Sequence, residues 1–96
     1  SSMKRIVTKF LRQVEGYVEG RHLVIEWQNE LLEMLERDGY DPKMGARPLA
    51  RLINERVKLP IARYLLNNEN VYHLKINWIK DELTIVNENK PSTVEA

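Results

Sequence analysis

The stretch GYDPKMGARPLAR, residues 39 to 51, decides how this chain folds. Its first ten residues contain two glycines and two prolines. Pro48 suits the first position of a helix, because its φ is fixed near the helical value and it has no N–H. Arg47 is predicted at or just before the N-cap, because a residue before proline avoids the α region. The stretch therefore predicts a tight corner, residues 39–48, that leads into a helix.

The chemistry of the corner suits an anion. Gly45 has no Cβ, so another group can approach its backbone closely. The unpaired N–H groups of the first helical turn, Leu49 to Arg51, add partial positive charge. The forked guanidinium of Arg47 matches a phosphate or a carboxylate. The alternative is an ordinary helix start at which Arg47 contacts solvent or a nearby carboxylate, and these residues alone leave both open.

Apolar residues recur at helical spacing on both sides of the corner. Upstream they are Ile6, Phe10, Val14, Tyr17 and Val18, ended by Gly20, and then Leu31, Leu32 and Leu35, ended by Gly39. Downstream the stripe comprises Leu49, Leu52, Ile53 and Val57, with the charged Arg56 among them, and then Ile61, Tyr64 and Leu65 before Asn67 and Asn68. Pro60 interrupts the downstream stripe, which predicts a kink or two consecutive helices.

Three short segments alternate as strands do. HLVIEW, residues 22–27, places Leu23, Ile25 and Trp27 on one face, and VYHLKINWI, residues 71–79, does the same with Tyr72, Leu74, Ile76 and Trp78. Lys80-Asp81 is predicted to be a turn into ELTIVN, residues 82–87, which completes a hairpin. The predicted fold class is α+β, a three-stranded β-sheet packed with about four helices.

Composition limits the classes of function. The 96 residues suffice for one domain, and a net charge of +1 gives no overall field for nucleic acid or an anionic membrane. There is no cysteine, and His22 and His73 have no clustered carboxylates nearby, so we predict no metal site. The cations Arg47, Arg51, Arg56, Lys58 and Arg63 do not share one side of a helix, which argues against nucleic-acid binding. No apolar run reaches the length of a membrane span, and no signal peptide is visible.

The two ends of the chain are predicted to lie outside the domain. Ser1-Ser2 before Met3 resembles a cloning scar, so residues 1–3 are excluded from the fold. Residues 87–96 are polar and have no apolar period, which predicts a disordered tail. The domain is expected to occupy residues 4–86.

Residues 39–66 closely resemble the C-terminal region of Clp-type AAA+ unfoldases. The matching core is Gly39-Tyr40-Asp41-Pro42, then Gly45-Ala46-Arg47-Pro48-Leu49, Arg51 and Pro60. With looser motifs the resemblance extends over about residues 4 to 86. DPKMGARPLAR favours the ClpA-like branch, whereas the ClpB-like and ClpC-like branches share most of the block.

This resemblance implies the small, lid-like subdomain of the second ATPase module. Arg47 would be the sensor-2 arginine that reaches the nucleotide phosphates, with Gly45 and Ala46 beside it. Tyr40, Asp41, Pro48 and Arg51 would support the corner, Tyr40 by packing under it. Arg51 would contact a second phosphate or pair with a carboxylate such as Asp41, and we favour the pairing.

The chain has no G-x-x-x-x-G-K-[ST] loop and no acidic pair after an apolar strand. The domain alone is therefore not expected to hydrolyse ATP or to bind it tightly, whereas its parent chain is expected to be an AAA+ ATPase. The resemblance implies ATP as ligand, with Mg²⁺ held through the missing large subdomain.

The expected partners are the domain's own large subdomain, neighbouring subunits of a homohexamer and protein substrates. A ClpP-like protease is expected to bind the parent away from this domain. The expected location is the cytoplasm or the matrix or stroma of a bacterial-derived organelle. The alternative function is a stand-alone protein-interaction module with no role in nucleotide binding.

Overall fold

The computed structural model of the chain describes residues 2–17 and 23–89. The described elements are α1 (Ser2–Tyr17), β1 (Val24–Trp27), α2 (Asn29–Asp38), α3 (Arg47–Ile53), a π-helical turn (Asn54–Lys58), α4 (Leu59–Asn67), β2 (His73–Ile79) and β3 (Glu82–Asn87). The predicted α+β fold is confirmed. The predictions made for Val18, Gly20, His22 and residues 90–96 lie outside the described residues.

The sheet has the order β1-β2-β3. β1 pairs in parallel with β2, so that Ile25 lies opposite Leu74, and β2 pairs antiparallel with β3, so that Ile76 lies opposite Ile85. The parallel pair requires a long crossover, which α2, α3 and α4 supply. The hairpin is confirmed, and both residues of its turn have positive φ, 52° at Lys80 and 62° at Asp81. This left-handed turn matches the twist of the two strands.

One predicted position on the sheet face is wrong. Leu74 and Ile76 are buried and Trp78 packs against the core, but Tyr72 is 56% exposed and precedes the strand. The N–H groups of Tyr72 and His73 donate to Asn89 Oδ1 at 2.7 and 3.0 Å. β3 includes Asn87, so residues 87–89, which the sequence assigned to the tail, lie with the sheet.

The core collects residues from helices and sheet. It consists of Val7, Leu11, Val14, Leu31, Met34, Leu35, Leu49, Ile53, Val57, Ile61, Leu65, Val71, Leu74 and Ile76. On α1 the prediction missed Val7 and Leu11 and wrongly included Tyr17, which is 63% exposed. Val7, Leu11 and Val14 form the innermost line because α1 contacts both α2 and α3. The Tyr17 ring lies instead beneath Lys58 Nζ, 4.2 Å from the ring centroid.

The chain remains helical from Arg47 to Asn67, through a π-helical turn just before Pro60. Leu59 N donates to Asn54 O, five residues earlier. Proline lacks an N–H and its ring clashes with the carbonyl four residues earlier, which here belongs to Arg56. The wider π turn accommodates this ring. The prediction at Pro60 was a kink or two consecutive helices, and the structure shows α3 and α4 joined through a π-helical turn without a break.

Candidate functional site

The backbone of the corner is closed by a pair of hydrogen bonds. Asp41 N donates to Gly45 O at 2.8 Å, and Gly45 N donates to Asp41 O at 2.6 Å. The Asp41 carboxylate adds two more, because its Oδ1 accepts from Lys43 N at 2.7 Å and from Met44 N at 2.9 Å. Aspartate commonly fixes turns in this way. Four bonds that all involve Asp41 thus set the shape of residues 41–45.

The two glycines of the corner have different tasks. Gly45 has a φ of +66°, and a Cβ placed on it would have no heavy atom within 4 Å. It is needed for its left-handed backbone, and the space beside it is open. Gly39 has an ordinary φ of −87°, but a Cβ there would lie 2.5 Å from Leu35 O and 2.6 Å from Leu49 Cδ1. Gly39 therefore lets the end of α2 pack directly on the first turn of α3.

The helix begins one residue earlier than predicted. Ala46 is the N-cap and Arg47 is the first residue of α3, so Pro48 occupies the second position. Arg47 N donates to Met44 O at 3.3 Å, and Leu49 N donates to Ala46 O at 3.0 Å. The N–H of Leu49, which was predicted to be unpaired, is therefore engaged within the turn.

The Arg47 side chain is exposed. Across residues 2–17 and 23–89, the structure gives its guanidinium no hydrogen bond and no ion pair. Arg47 is the first residue of the helical path that runs to Asn67, and Gly45 leaves open space two residues before it. The site thus offers an uncommitted, forked cation on a backbone that is fixed by its own hydrogen bonds.

Two predicted supporting contacts differ in the structure. Arg51 pairs with a carboxylate, as we favoured, but this carboxylate is Glu55, whose Oε2 lies 3.1 Å from Arg51 Nε one turn further along the helical path. Asp41 is not the partner, because its Oδ1 accepts from backbone N–H groups. Tyr40 is 54% exposed and does not pack under the corner, where Leu49 fills the space against Gly39. Pro48 is half-buried at the second position of α3, and its supporting role stays a prediction.

A contact that the sequence analysis missed joins the two sides of the corner. Arg56 Nη1 lies 3.0 Å from Asp38 Oδ2, and the same carboxylate binds Arg37 Nε at 2.9 Å. The hydrogen bond from Arg37, and then that from Arg56, holds the pKa of the Asp38 carboxyl below its usual value. Local patterning gives no signal for a pair 18 residues apart whose geometry depends on a π turn.

Three other cations of the helical path have separate partners. Arg51 pairs with Glu55, Arg56 with Asp38, and Lys58 with the Tyr17 ring. Because their partners lie on different elements, these three cations do not form a continuous basic surface. Among the described residues, no group of three or more His, Asp or Glu side chains is placed to hold a metal ion. In the same part of the chain, none of the helices combines the length and apolar composition of a membrane span.

Known proteins resemble this chain over most of its length. The model of the family described as "C-terminal, D2-small domain, of ClpB protein" matches residues 1–76. The "ClpA homolog protein" of Fuscovulum blasticum is 45% identical over 62 residues, which are 65% of this chain and 8% of that protein. "Chaperone protein ClpB" of Clostridium perfringens is 37% identical over 67 residues, 70% of this chain and 8% of that protein.

A third relative, "Chaperone protein ClpB" of Bacillus cereus, is 31% identical over 90 residues, 78% of this chain and 10% of that protein. The chain therefore spans about a tenth or less of the length of these relatives. Both ClpA and ClpB names occur among them, so the assignment to the ClpA-like branch stays a prediction.

Proposed function

Because this chain belongs to the family of C-terminal, D2-small domains of Clp ATPases, we propose that it works as the lid subdomain of the second ATPase module in a longer unfoldase. In this proposal Arg47 is the sensor-2 arginine and completes an ATP site whose other residues lie on the large subdomain. Gly45 and Ala46 lie beside the phosphates, and Asp41 and Pro48 hold the corner in shape.

The observation that carries this proposal is the free guanidinium of Arg47. Arg51 and Arg56 are paired with carboxylates, whereas Arg47 has no partner in the described part of the chain. Its backbone is nonetheless well fixed, through the bonds between Asp41 and Gly45. A fixed backbone and an uncommitted fork suit a phosphate that arrives from outside the domain, since only the side chain of Arg47, and not its backbone, has to be ordered on binding.

The energy available is adequate for a switch. A hydrogen bond to a charged group contributes about 1.5–3 kcal/mol. Because about 1.4 kcal/mol is a factor of ten in an equilibrium constant, one such bond shifts a two-state lid rotation by about one to two decades. Arg47 would hold the closed form while the terminal phosphate is present and stabilise its charge during transfer. Loss of that phosphate would release the lid.

The remaining partners belong to the same proposal. ATP would bring Mg²⁺, held by the large subdomain. The lid would contact its own large subdomain and the neighbouring subunit of a homohexamer, so that each subunit responds to the nucleotide state of the next. Protein substrates would be unfolded by the whole assembly in the cytoplasm or in an organelle of bacterial origin, and a ClpP-like protease would bind elsewhere on it.

The test is ATP hydrolysis by the full-length protein that carries Arg47→Ala or Arg47→Lys. We expect turnover to fall at least about tenfold with alanine, the loss of one charge-assisted bond. Lysine should rescue poorly because it lacks the fork. Arg63→Ala, which removes an exposed cation from α4, is the matched control and should leave turnover unchanged.

Unchanged turnover and unchanged ATP affinity in Arg47→Ala would overturn the sensor-2 assignment. That result would favour the alternative function, a stand-alone protein-interaction module in which Arg47 has no role in nucleotide binding. Hexamer formation, measured by sedimentation, shows whether a loss of turnover reflects the site or the assembly.

A further inference from the structure

We propose that Asp38 and Arg56 form a clasp across the corner that positions Arg47 for the phosphate. This inference rests on the proposed function of Arg47. It assigns a role in the ATPase cycle to two residues that do not themselves contact nucleotide.

The ion pair joins α2, which precedes the corner, to the helical path that follows it. Asp38 is the last residue of α2, directly before the corner, and Arg56 lies in the π-helical turn of the path that follows it. Their contact, Arg56 Nη1 to Asp38 Oδ2, measures 3.0 Å. The pair therefore closes a loop of chain that contains the whole corner and Arg47.

Arg56 is fixed from three directions. Besides Asp38, its Nη1 lies 3.3 Å from Sδ of the buried Met34, and its guanidinium carbon lies 5.4 Å from the centroid of the Trp78 ring. These partners come from α2 and β2, so Arg56 ties the helical path to both. A guanidinium over an aromatic face is itself attracted to the ring.

The clasp provides a directional constraint that the corner lacks. The bonds of Asp41 fix the local shape of residues 41–45, and the Gly39–Leu49 contact is an apolar one, which does not select a direction. Leu49, Ile53 and Val57 pack the helical path against the core, and Arg56 adds a polar contact that fixes its direction relative to α2. If that contact is released, the path can shift on its apolar packing, and Arg47 moves with it. A displacement of about 1 Å can cost about a hundredfold in rate.

The experiment measures ATP hydrolysis by the full-length protein with Asp38→Asn, Arg56→Gln or Arg56→Lys. We expect Asp38→Asn and Arg56→Gln to lower kcat by about two- to thirtyfold, the range for residues that act on a site through others. KM should change little, since the loss concerns the transition state. Arg56→Lys should retain most activity, because the contact to Asp38 uses a single nitrogen.

The matched control is Lys75→Gln. Lys75 pairs with Glu88 at 3.8 Å on the sheet, with side-chain exposures of 42% and 36%, close to the 39% and 33% of Arg56 and Asp38. Both pairs are partly exposed and contribute little to stability, so the variants should fold. Lys75→Gln should leave kcat unchanged.

Combining the variants with Arg47→Ala distinguishes a positioning role from a non-specific structural effect. If Asp38 and Arg56 act through Arg47, Arg56→Gln should have no further effect on kcat in Arg47→Ala. An equal loss in both backgrounds would show a merely structural role and overturn the inference. The inference is also overturned if Asp38→Asn and Arg56→Gln have wild-type kcat while Arg47→Ala is impaired. That result leaves the proposed function of Arg47 intact. If Arg47→Ala itself has wild-type kcat, both proposals fail.

Discussion

Asn77 on β2 caps the first turn of α2. Its Oδ1 accepts a hydrogen bond from Leu31 N at 3.0 Å, although Leu31 and Asn77 lie 46 residues apart in the sequence. Its Nδ2 donates to Glu30 Oε1 at 2.8 Å. Gln28, the N-cap by position, supplies no side-chain cap. The sheet therefore provides the cap that the local sequence omits, and α2 is tied to β2 at the end opposite the corner.

We predict that Asn77→Ala lowers the free energy of unfolding by about 0.5–2 kcal/mol, the usual cost of a lost helix cap. The reason is that Leu31 N loses its acceptor at the start of a helix. Urea unfolding followed by circular dichroism measures the change. Asn29→Ala is the control, because Asn29 is exposed in the same turn and its side chain has no hydrogen bond in the described part of the chain. Equal stability of Asn77→Ala and wild type would show that water replaces the cap.

The second prediction concerns pH. Hydrogen bonds from Arg37 first and Arg56 second hold the pKa of Asp38 below its usual value. A carboxyl whose pKa is lower in the folded state binds protons more readily when unfolded. Its contribution to stability is therefore complete above the ordinary aspartate pKa of about 3.9 and is lost as the pH falls below it. Asp38→Asn should reduce the slope of stability against pH on the acid side of about pH 5.

This pH effect has a direct readout. The carboxyl carbon of Asp38, followed by NMR, should titrate with a midpoint below about 3.9 in the wild type and closer to that value in Arg37→Gln, because Arg37 is the main cause of the lowered pKa. Glu33→Gln, on the exposed side of α2, is the control for the loss of one carboxylate and should leave the Asp38 midpoint nearly unchanged. A wild-type midpoint at or above 3.9 would contradict the assignment.

Local patterns in the sequence predicted the helices, the strands and the corner, whereas they did not predict contacts between residues that are distant in the sequence. The hairpin follows from alternation and the Lys80-Asp81 turn, and the corner follows from its glycines and prolines, so both were predictable from adjacent residues. The clasp between Asp38 and Arg56 and the cap from Asn77 depend on how distant elements pack, which periodicity does not encode. The pair of Arg51 and Glu55, by contrast, is local: the two residues lie one helical turn apart, a spacing that can be read from the sequence.

The two glycines of the corner should respond differently to alanine. Gly39→Ala would place a Cβ 2.5 Å from Leu35 O and 2.6 Å from Leu49 Cδ1, so the backbone at residue 39 and the Leu49 side chain must both shift. We predict a loss of about 1–3 kcal/mol, typical of overpacking. Gly45→Ala meets no atom but must adopt a φ of +66°, which costs about 1–2 kcal/mol.

Asparagine distinguishes the two causes. Gly45→Asn should restore part of the stability lost in Gly45→Ala, because asparagine tolerates the left-handed region. Gly39→Asn should be at least as damaging as Gly39→Ala, because the obstacle there is space. Thermal unfolding of the four variants gives the ranking, and rescue of Gly39 by asparagine would refute the packing explanation.

The turn of the hairpin offers a stabilising change. Lys80 and Asp81 both have positive φ, a conformation that two-residue turns of this type usually give to Asn-Gly. Asp81→Gly removes the steric penalty of the left-handed region, which for the tolerant aspartate is at most about 1–2 kcal/mol, but adds unfolded-state entropy worth about 0.4–1 kcal/mol. The aspartate also attracts Arg37, but both charges are exposed, so this loss is minor. We therefore predict a small net gain, up to about 1 kcal/mol, seen as a higher urea midpoint with an unchanged slope. Asp81→Ala keeps the left-handed backbone penalty but removes the carboxylate charge, so its stability should not increase. An increase in both variants would mean that the charge of Asp81, and not its backbone conformation, limits the stability of this turn.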